Sequence, residues 1–277
     1  MSVCIALLCN NRRTIVTVTD RKVSFGNFSA DGLVLKDIPF RQRTSVLVAG
    51  DDMEHEIPIL DRAKELLGDA YKPPAVVADA LDEAFRERVH RQIENSVLGK
   101  RGFTVPSFLD KGKQKCTSSA YLSLCSRIDQ VSIKLKFLVC GFDAKDIGHL
   151  YLVDGENAPA NYDSVGMWAI GSGAHAALSS LMYFAEKSSI TVFSPAEVAT
   201  YFGIVAKFMA ESQDQVGKEI PFVCVVDSGQ KPRYIAYERF DEIKKYWEDH
   251  GAPRVPPNLE AFMKPLIAPL TQSASQK

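Results

Sequence analysis

The stretch SVCIALLCNNRRTIVTVTD, residues 2–20, decides the fold class. Residues 2–9 are rich in Val, Ile and Leu, and TIVTVTD (14–20) is rich in β-branched residues, which favour strands. Asn10 and Asn11 form a turn signal of the kind that joins two antiparallel strands. The sequence therefore predicts a β-hairpin in its first 20 residues.

The predicted elements after this hairpin come in runs. TSVLVAG (44–50) predicts a strand, and two helices follow, one over 53–68 with Ile57 and Leu60 on its buried face and one after Pro74. The later elements are strands at 119–126, 131–142, 149–154 and 166–170, a helix after GSG (171–173), a helix from Ser194 to about 212 that buries Val198, and a strand pair in 220–237. Grouped strands and helices predict an α+β sandwich of two β-sheets between helices, and argue against a doubly wound parallel sheet.

One domain accounts for most of the chain. We assign residues 1–239 to it and predict that 99–118, a polar stretch with Gly and Pro, is a surface loop inserted in the domain. Residues 240–277 begin with a helical pattern and end in TQSASQK, which predicts a helical appendage with a frayed tail.

Composition excludes several classes of protein. The formal net charge is −1 and like charges form no block, so we expect neither nucleic-acid nor membrane binding. The N-terminal apolar run has no basic residues before it and no segment is long enough to span a bilayer, so we expect a cytoplasmic protein. The six cysteines form no C-x-x-C pair and the five histidines show no metal spacing, so we predict buried free thiols, no metal site and no cofactor.

Four pieces of the sequence resemble the β-type subunits of the proteasome and their bacterial relatives, including the HslV peptidase. They are the N-terminal hairpin ending in Asp20, Lys36 in LKDIP followed by VLVAGDD around Gly50, CGFD leading into HLYLVDGEN (140–157), and AIGSGAHAALSSL (169–181). The spacings from Asp20 to Lys36 and from Lys36 to Gly50 also resemble those of the family. The resemblance covers roughly residues 2–98 and 131–236.

The resemblance implies a four-layer αββα sandwich and membership of the N-terminal-nucleophile hydrolases. In such an enzyme the first residue carries both the nucleophile and its base, because the free α-amine has a pKa of about 7.7–8.0. Removal of Met1 would leave Ser2 first, so the resemblance makes Ser2 the nucleophile, where the family usually has Thr. Cys4 is the alternative nucleophile, since counting back from Asp20 without a gap reaches Cys4. A first hairpin two residues longer, at Asn10–Arg13, places Ser2 there instead.

The resemblance assigns supporting roles to five further residues. Lys36 would favour the developing alkoxide and keep the amine neutral, and Asp20 would hold Lys36. The N–H of Gly50 would form the oxyanion hole. Ser172 and Asp214 would support the N-terminal amine. The family pattern Asp-x-x-Ser-Gly is incomplete after Asp214, because Gly217 and Lys218 replace its last two residues.

Three functions remain open from the sequence. The first is a proteasome-like peptidase with an N-terminal serine, which assembles with copies of itself into a ring or stacked ring, takes peptides or unfolded protein, and has an ATPase unfoldase as a further partner. The second is a non-catalytic ring or scaffold subunit of the same fold. The third is a small-molecule amidase, since one fold hosts many activities.

Overall fold

The computed structural model describes residues 2–25, 28–30, 35–188, 190–213 and 216–251. The chain divides into two units, Met1–Tyr237 and Glu238–Lys277. In the second unit the described element is helix α7 (Phe240–His250). No helix in the described ranges has the length and apolar character needed to cross a bilayer.

The first unit holds two five-stranded antiparallel sheets. The first sheet has the order β10–β1–β2–β11–β12, with β1 Cys4–Cys9, β2 Thr14–Thr19, β10 Met167–Ile170, β11 Phe222–Asp227 and β12 Arg233–Tyr234. The second has the order β5–β6–β7–β8–β9, with β5 Asp37–Arg41, β6 Thr44–Gly50, β7 Leu135–Phe142, β8 Gly148–Val153 and β9 Ala160–Asn161. A short pair, β3 (Val23–Phe25) and β4 (Phe28–Ala30), stands apart. The α+β class expected from the sequence is confirmed.

The two sheets face each other across an apolar core. Cys4, Ala6 and Leu8 of β1 pack there with residues of the second sheet such as Leu47 and Leu138. Every residue of β1 is buried. A strand that is buried on both faces reads as a continuous apolar run, which is why β1 shows no alternation of polar and apolar residues.

Each sheet also carries helices on its other face. Helices α1 (Glu56–Leu67) and α2 (Pro74–Ile93) form one cluster with buried residues of β6, β7 and β8. Helices α5 (Ala174–Ser188) and α6 (Ala196–Ala210) contact β1, β2, β10 and β11. On α6, a Cβ added at Gly203 would lie 3.0 Å from Leu7 and 3.1 Å from Val18, so glycine permits close packing on the sheet.

The region between α2 and β7 differs from the sequence expectation. Helices α3 (Val105–Lys115) and α4 (Ser118–Asp129) replace the predicted surface loop over 99–118 and the predicted strand at 119–126. Thr104 caps α3 by accepting from the N–H of Ser107, and Phe108 is buried in a separate apolar cluster that Leu124 of α4 shares. Both predictions were wrong. The segments form helices because their apolar residues pack against each other in this small separate core.

One residue in each of two predicted helix faces needs correction. Ile57 is exposed, because it lies at the edge of the buried face of α1, which Ile59, Leu60, Ala63 and Leu67 form. Val198 is exposed on α6 while Ala199 is buried. Pro195, and not Ser194, is the residue before the first turn of α6, and no side chain caps it.

Candidate active site

The first residues of the chain are held by strands on both sides. The hairpin places Val3 opposite Asp20: the N–H of Asp20 donates to the Val3 carbonyl at 3.0 Å, and the N–H of Val3 donates to Asp20 Oδ1 at 3.2 Å. On its other side β1 pairs with β10, with Cys4 opposite Ile170. Ser2 therefore lies beside the residues that follow β10.

Asp20 and Lys36 form a buried ion pair. Lys36 Nζ lies 2.5 Å from Asp20 Oδ1, and the two side chains are 2% and 1% exposed. The N–H of Gly217 donates to Asp20 Oδ2 at 3.0 Å. Three donors thus converge on one carboxylate, which is the way a buried charge is compensated in a protein interior.

The GSG turn (171–173) after β10 is hydrogen-bonded to the backbone of Ser2. The N–H of Ser2 donates to Ser172 Oγ at 3.2 Å, and the Ser2 carbonyl accepts from the N–H of Gly173 at 3.2 Å and from Ser172 Oγ at 3.5 Å. Gly171 has a φ of +98°, and a Cβ there would lie 2.1 Å from the Ser2 carbonyl oxygen. Glycine at 171 is therefore required both by the backbone angle and by the approach to Ser2.

Strand β6 ends at Gly50, close to the GSG turn. The N–H of Val48 donates to the carbonyl of Lys36, and the N–H of Asp51 donates to the carbonyl of Lys134. Because N–H groups alternate in direction along a strand, the N–H of Gly50 points to the same side as that of Val48, away from β7. A Cβ at Gly50 would lie 2.1 Å from the Lys134 carbonyl oxygen, so packing against β7 also demands glycine.

A cleft of about 650 Å³ opens beside Ser2. Its apolar wall includes Ala49, Leu152 and Trp168, and Ser2, Gly50, Gly171 and Ser172 line it as well. Charged side chains of both signs also line it, namely Asp51, Lys134, Lys136, Asp154 and Glu156, together with the imidazole of His175. The volume is in the range of clefts that hold small organic ligands or short peptide segments.

Cys4 occupies a different environment from Ser2. Its side chain is fully buried in the core between the sheets, and its Sγ donates to the Val48 carbonyl at 3.3 Å. Burial raises the pKa of the Cys4 thiol far above its ordinary value, although the charge of Lys36 opposes this. A neutral thiol that does not line the Ser2 cleft is a poor nucleophile there.

The structure brings together five of the residues that the sequence singled out, Ser2, Asp20, Lys36, Gly50 and Ser172. Asp214 lies outside the described residues. Sequence reasoning missed Gly217, whose N–H reaches Asp20 from the position where the family pattern expects serine. A backbone contact carries no residue-type signature, so only the interrupted pattern after Asp214 could have drawn attention to this position.

In the part of the chain that the structure describes, no group of three or more His, Cys, Asp and Glu side chains is placed to hold a metal ion. The chain matches no model of a known protein family and no curated protein sequence.

Proposed function

We propose that the chain is an N-terminal-nucleophile hydrolase that cleaves peptide bonds with Ser2. The proposal includes the four-layer αββα sandwich of that superfamily. Two facing sheets, with α1 and α2 on one and α5 and α6 on the other, support this architecture. The resemblance of the sequence to proteasome β-type subunits supports it independently.

One observation carries the proposal: Ser2 lines the cleft while the next residue, Val3, is hydrogen-bonded to the buried Asp20–Lys36 pair. Val3 N–H and Lys36 Nζ bind the same oxygen of Asp20, so the ammonium group lies close to the peptide unit that joins Ser2 to Val3. A buried lysine beside a serine at a cleft is an arrangement that favours an alkoxide.

The proposed reaction begins after hydrolysis of the Met1–Ser2 bond. The freed amine of Ser2 accepts the proton of its own hydroxyl, and Oγ attacks the substrate carbonyl carbon. The tetrahedral oxyanion accepts a hydrogen bond from the N–H of Gly50. The protonated amine then donates to the leaving nitrogen as the C–N bond breaks, and water hydrolyses the resulting ester in the same way.

Ser172 has a defined task in this scheme. Its hydroxyl lies 3.2 Å from the Ser2 nitrogen, the atom that becomes the catalytic amine. A hydroxyl can donate to the neutral amine or accept from the protonated one, so it can serve both halves of the cycle. We therefore assign Ser172 to orienting the amine, with Asp214 as the second member that the resemblance implies.

The geometry favours Ser2 over Cys4 as the nucleophile. Cys4 would require removal of three residues, and Ser2 and Val3 are tied to Ser172, Gly173 and Asp20 by backbone hydrogen bonds. The Cys4 thiol also faces the core between the sheets and not the cleft. The nucleophile that needs the smaller change of structure is Ser2.

The proposed substrates are peptides or unfolded protein, and the proposed working form is a ring or stacked ring of this chain, with an ATPase unfoldase as a further partner. The resemblance is the support for the ring assembly and for the ATPase partner. Native mass spectrometry of the purified protein tests the assembly, since a monomer at micromolar concentration would contradict it.

Activity is tested by hydrolysis of a fluorogenic peptide amide and of a small acyl amide, with Ser2→Ala and Ser132→Ala beside the wild type. Ser132 lines the same cleft and serves as the matched control. We expect peptide hydrolysis that Ser2→Ala abolishes and Ser132→Ala retains. Hydrolysis of the acyl amide alone would make the protein a small-molecule amidase, and hydrolysis of neither substrate by an assembled sample would favour a non-catalytic ring subunit.

A further inference from the structure

A second cavity of about 520 Å³ lies between the two sheets, and none of the residues that line it also lines the cleft of Ser2. We call it the Asp37 cavity. Alternate residues of β11 form one wall, namely Phe222, Cys224 and Val226, as expected where one face of a strand borders a cavity. Asp37, Ser45 and Cys140 of the second sheet lie on the other side.

Asp37 is the unusual member of this lining. It is 7% exposed, and Thr17 Oγ1 donates to its Oδ2 at 2.5 Å. Ser45 is a second hydroxyl neighbour. Burial raises the pKa of the Asp37 carboxyl, and these two hydrogen bonds only partly offset that effect. Two neutral hydroxyls compensate the carboxylate charge only in part.

The cations near Asp37 are bound elsewhere. Lys36, the preceding residue, is paired with Asp20. Arg41 and Arg43 also line the cavity, but Arg41 pairs with Asp69 and donates to the Lys64 carbonyl, and Arg43 pairs with Asp146. Throughout the described ranges, no lysine, arginine or histidine forms an ion pair with Asp37. The cavity thus contains a buried carboxyl that lacks a counter-ion.

Two further features define what could supply that counter-ion. Thr44 lines the cavity, is 4% exposed, and its Oγ1 has no hydrogen-bond partner within the described structure. The rings of Phe222 and Tyr234 also line the cavity, with their centroids 5.3 Å apart. Burial raises the pKa of Cys224 to about 12, so its thiol is neutral. Two other carboxyl groups line the cavity, Asp146 and Asp227, and they pair with Arg43 and Arg233.

We propose that the Asp37 cavity binds a small primary amine with an aromatic body, whose ammonium group pairs with Asp37. A primary ammonium has three N–H donors, which suits one carboxylate and the unpartnered Thr44 hydroxyl. The aromatic body packs against Phe222 and Tyr234, where ring contacts and cation–π attraction add to burial. This inference is independent of the hydrolase proposal, because the two cavities have no residue in common.

Isothermal titration of the full-length protein with phenylbutylamine and with phenylbutanol tests the charge requirement. The two probes share the apolar body and differ in the ammonium group. We expect the amine to bind about 10-fold or more tightly than the alcohol, since a desolvated charge pair is available only to the amine. Equal affinity of the two probes would overturn the proposal.

Three variants locate the contact. Asp37→Asn should reduce amine affinity to that of the alcohol, whereas Thr44→Val, which removes one acceptor but keeps the carboxyl, should lower the preference for the amine only in part. Asp154→Asn, in the Ser2 cleft, should leave binding unchanged. Loss of binding in Asp154→Asn with retention in Asp37→Asn would place the amine in the wrong cavity and refute the inference.

A labelling experiment on the wild type covers the case in which Asp37→Asn does not fold. A trifluoromethyl-diazirine derivative of benzylamine is photolysed with the protein, and the modified peptides are identified by mass spectrometry. Labels within 44–45 or 222–234 that excess phenylbutylamine suppresses would support the site. Suppressible labels within 132–136 or 171–178 would overturn it.

Discussion

Replacement of Lys36 by methionine tests the buried ion pair on which the candidate site depends. The apolar stem is kept and the charge is lost, so Asp20 stays buried and, within the described residues, keeps the N–H groups of Val3 and Gly217 as donors. Breaking a buried pair costs about 3–5 kcal/mol, and the two remaining donors place Lys36→Met at the lower end, at about 3 kcal/mol. For a chain of this size that corresponds to a fall in Tm of about 6–12 °C.

The assay is urea unfolding at neutral pH and fixed protomer concentration, because assembly would change the apparent stability. Lys187→Met is the matched control: Lys187 is 58% exposed in its pair with Glu186, so its loss should change the free energy of unfolding by less than about 1 kcal/mol. The double variant Asp20→Asn with Lys36→Met should be more stable than Lys36→Met, since no lone charge remains buried. A Lys36→Met protein within about 0.5 kcal/mol of the wild type would refute the reasoning.

Three further predictions follow from the site and its surroundings. Gly171→Ala forces a Cβ to within 2.1 Å of the Ser2 carbonyl oxygen at a φ of +98°, so we expect loss of peptide hydrolysis and a lower Tm; unchanged hydrolysis would show that the turn does not position Ser2. Cys4→Ala should lower the free energy of unfolding by about 1–2 kcal/mol through a small cavity and retain hydrolysis, whereas loss of activity in a folded variant would return Cys4 to the mechanism. The hydrogen bond from His149 Nδ1 to Asp163 at 2.6 Å raises the pKa of His149, so its contribution to stability is full below the ordinary pKa of about 6.5 and is lost as the pH rises through the raised value. The stability advantage of the wild type over His149→Gln, measured by urea unfolding, should therefore shrink as the pH rises above about 6.5, and a constant difference would contradict the assignment.

The hairpin and the helix α2 could be read from the sequence because local pattern and tertiary burial agree there. Apart from Cys4 and Cys9, the residues of β1 and β2 are aliphatic or β-branched, and both strands lie inside a sheet. Val77, Leu81 and Phe85 of α2 are all buried as their period predicts. When the local pattern and the packing point to the same element, a sequence specifies its structure clearly.

The helices α3 and α4 show where pattern reading fails. In α4 the short, mostly apolar run YLSLC is compatible with a strand, but Tyr121, Leu124, Cys125 and Ile128 also follow the helical period. These residues pack in the small core with Phe108. Which period applies depends on partners that lie elsewhere in the chain. The start of α3 could have been predicted, because Thr104 and Ser107 with a proline between them form a helix-capping signal.

At the candidate site, the side chains could be predicted from the sequence, whereas the backbone contacts depend on the fold. Ser2, Asp20, Lys36 and Ser172 were candidates from the resemblance. Hydrogen bonds join Ser2 to Ser172 and Lys36 to Asp20, and the N–H of Val3, the residue after Ser2, also donates to Asp20. The N–H of Gly217 could not be anticipated, because its role depends on how the chain after α6 returns to Asp20.

The most direct test of the central claim is the intact mass of the purified protein before and after incubation with a peptide epoxyketone. This reagent forms a stable ring only with a free α-amine and a neighbouring nucleophile. The account predicts loss of Met1 and one adduct mapped to Ser2, both in the wild type and in Ser132→Ala, with no adduct in Ser2→Ala. Retention of Met1 without an adduct in an assembled sample, or an adduct on Cys4 after loss of three residues, would contradict it.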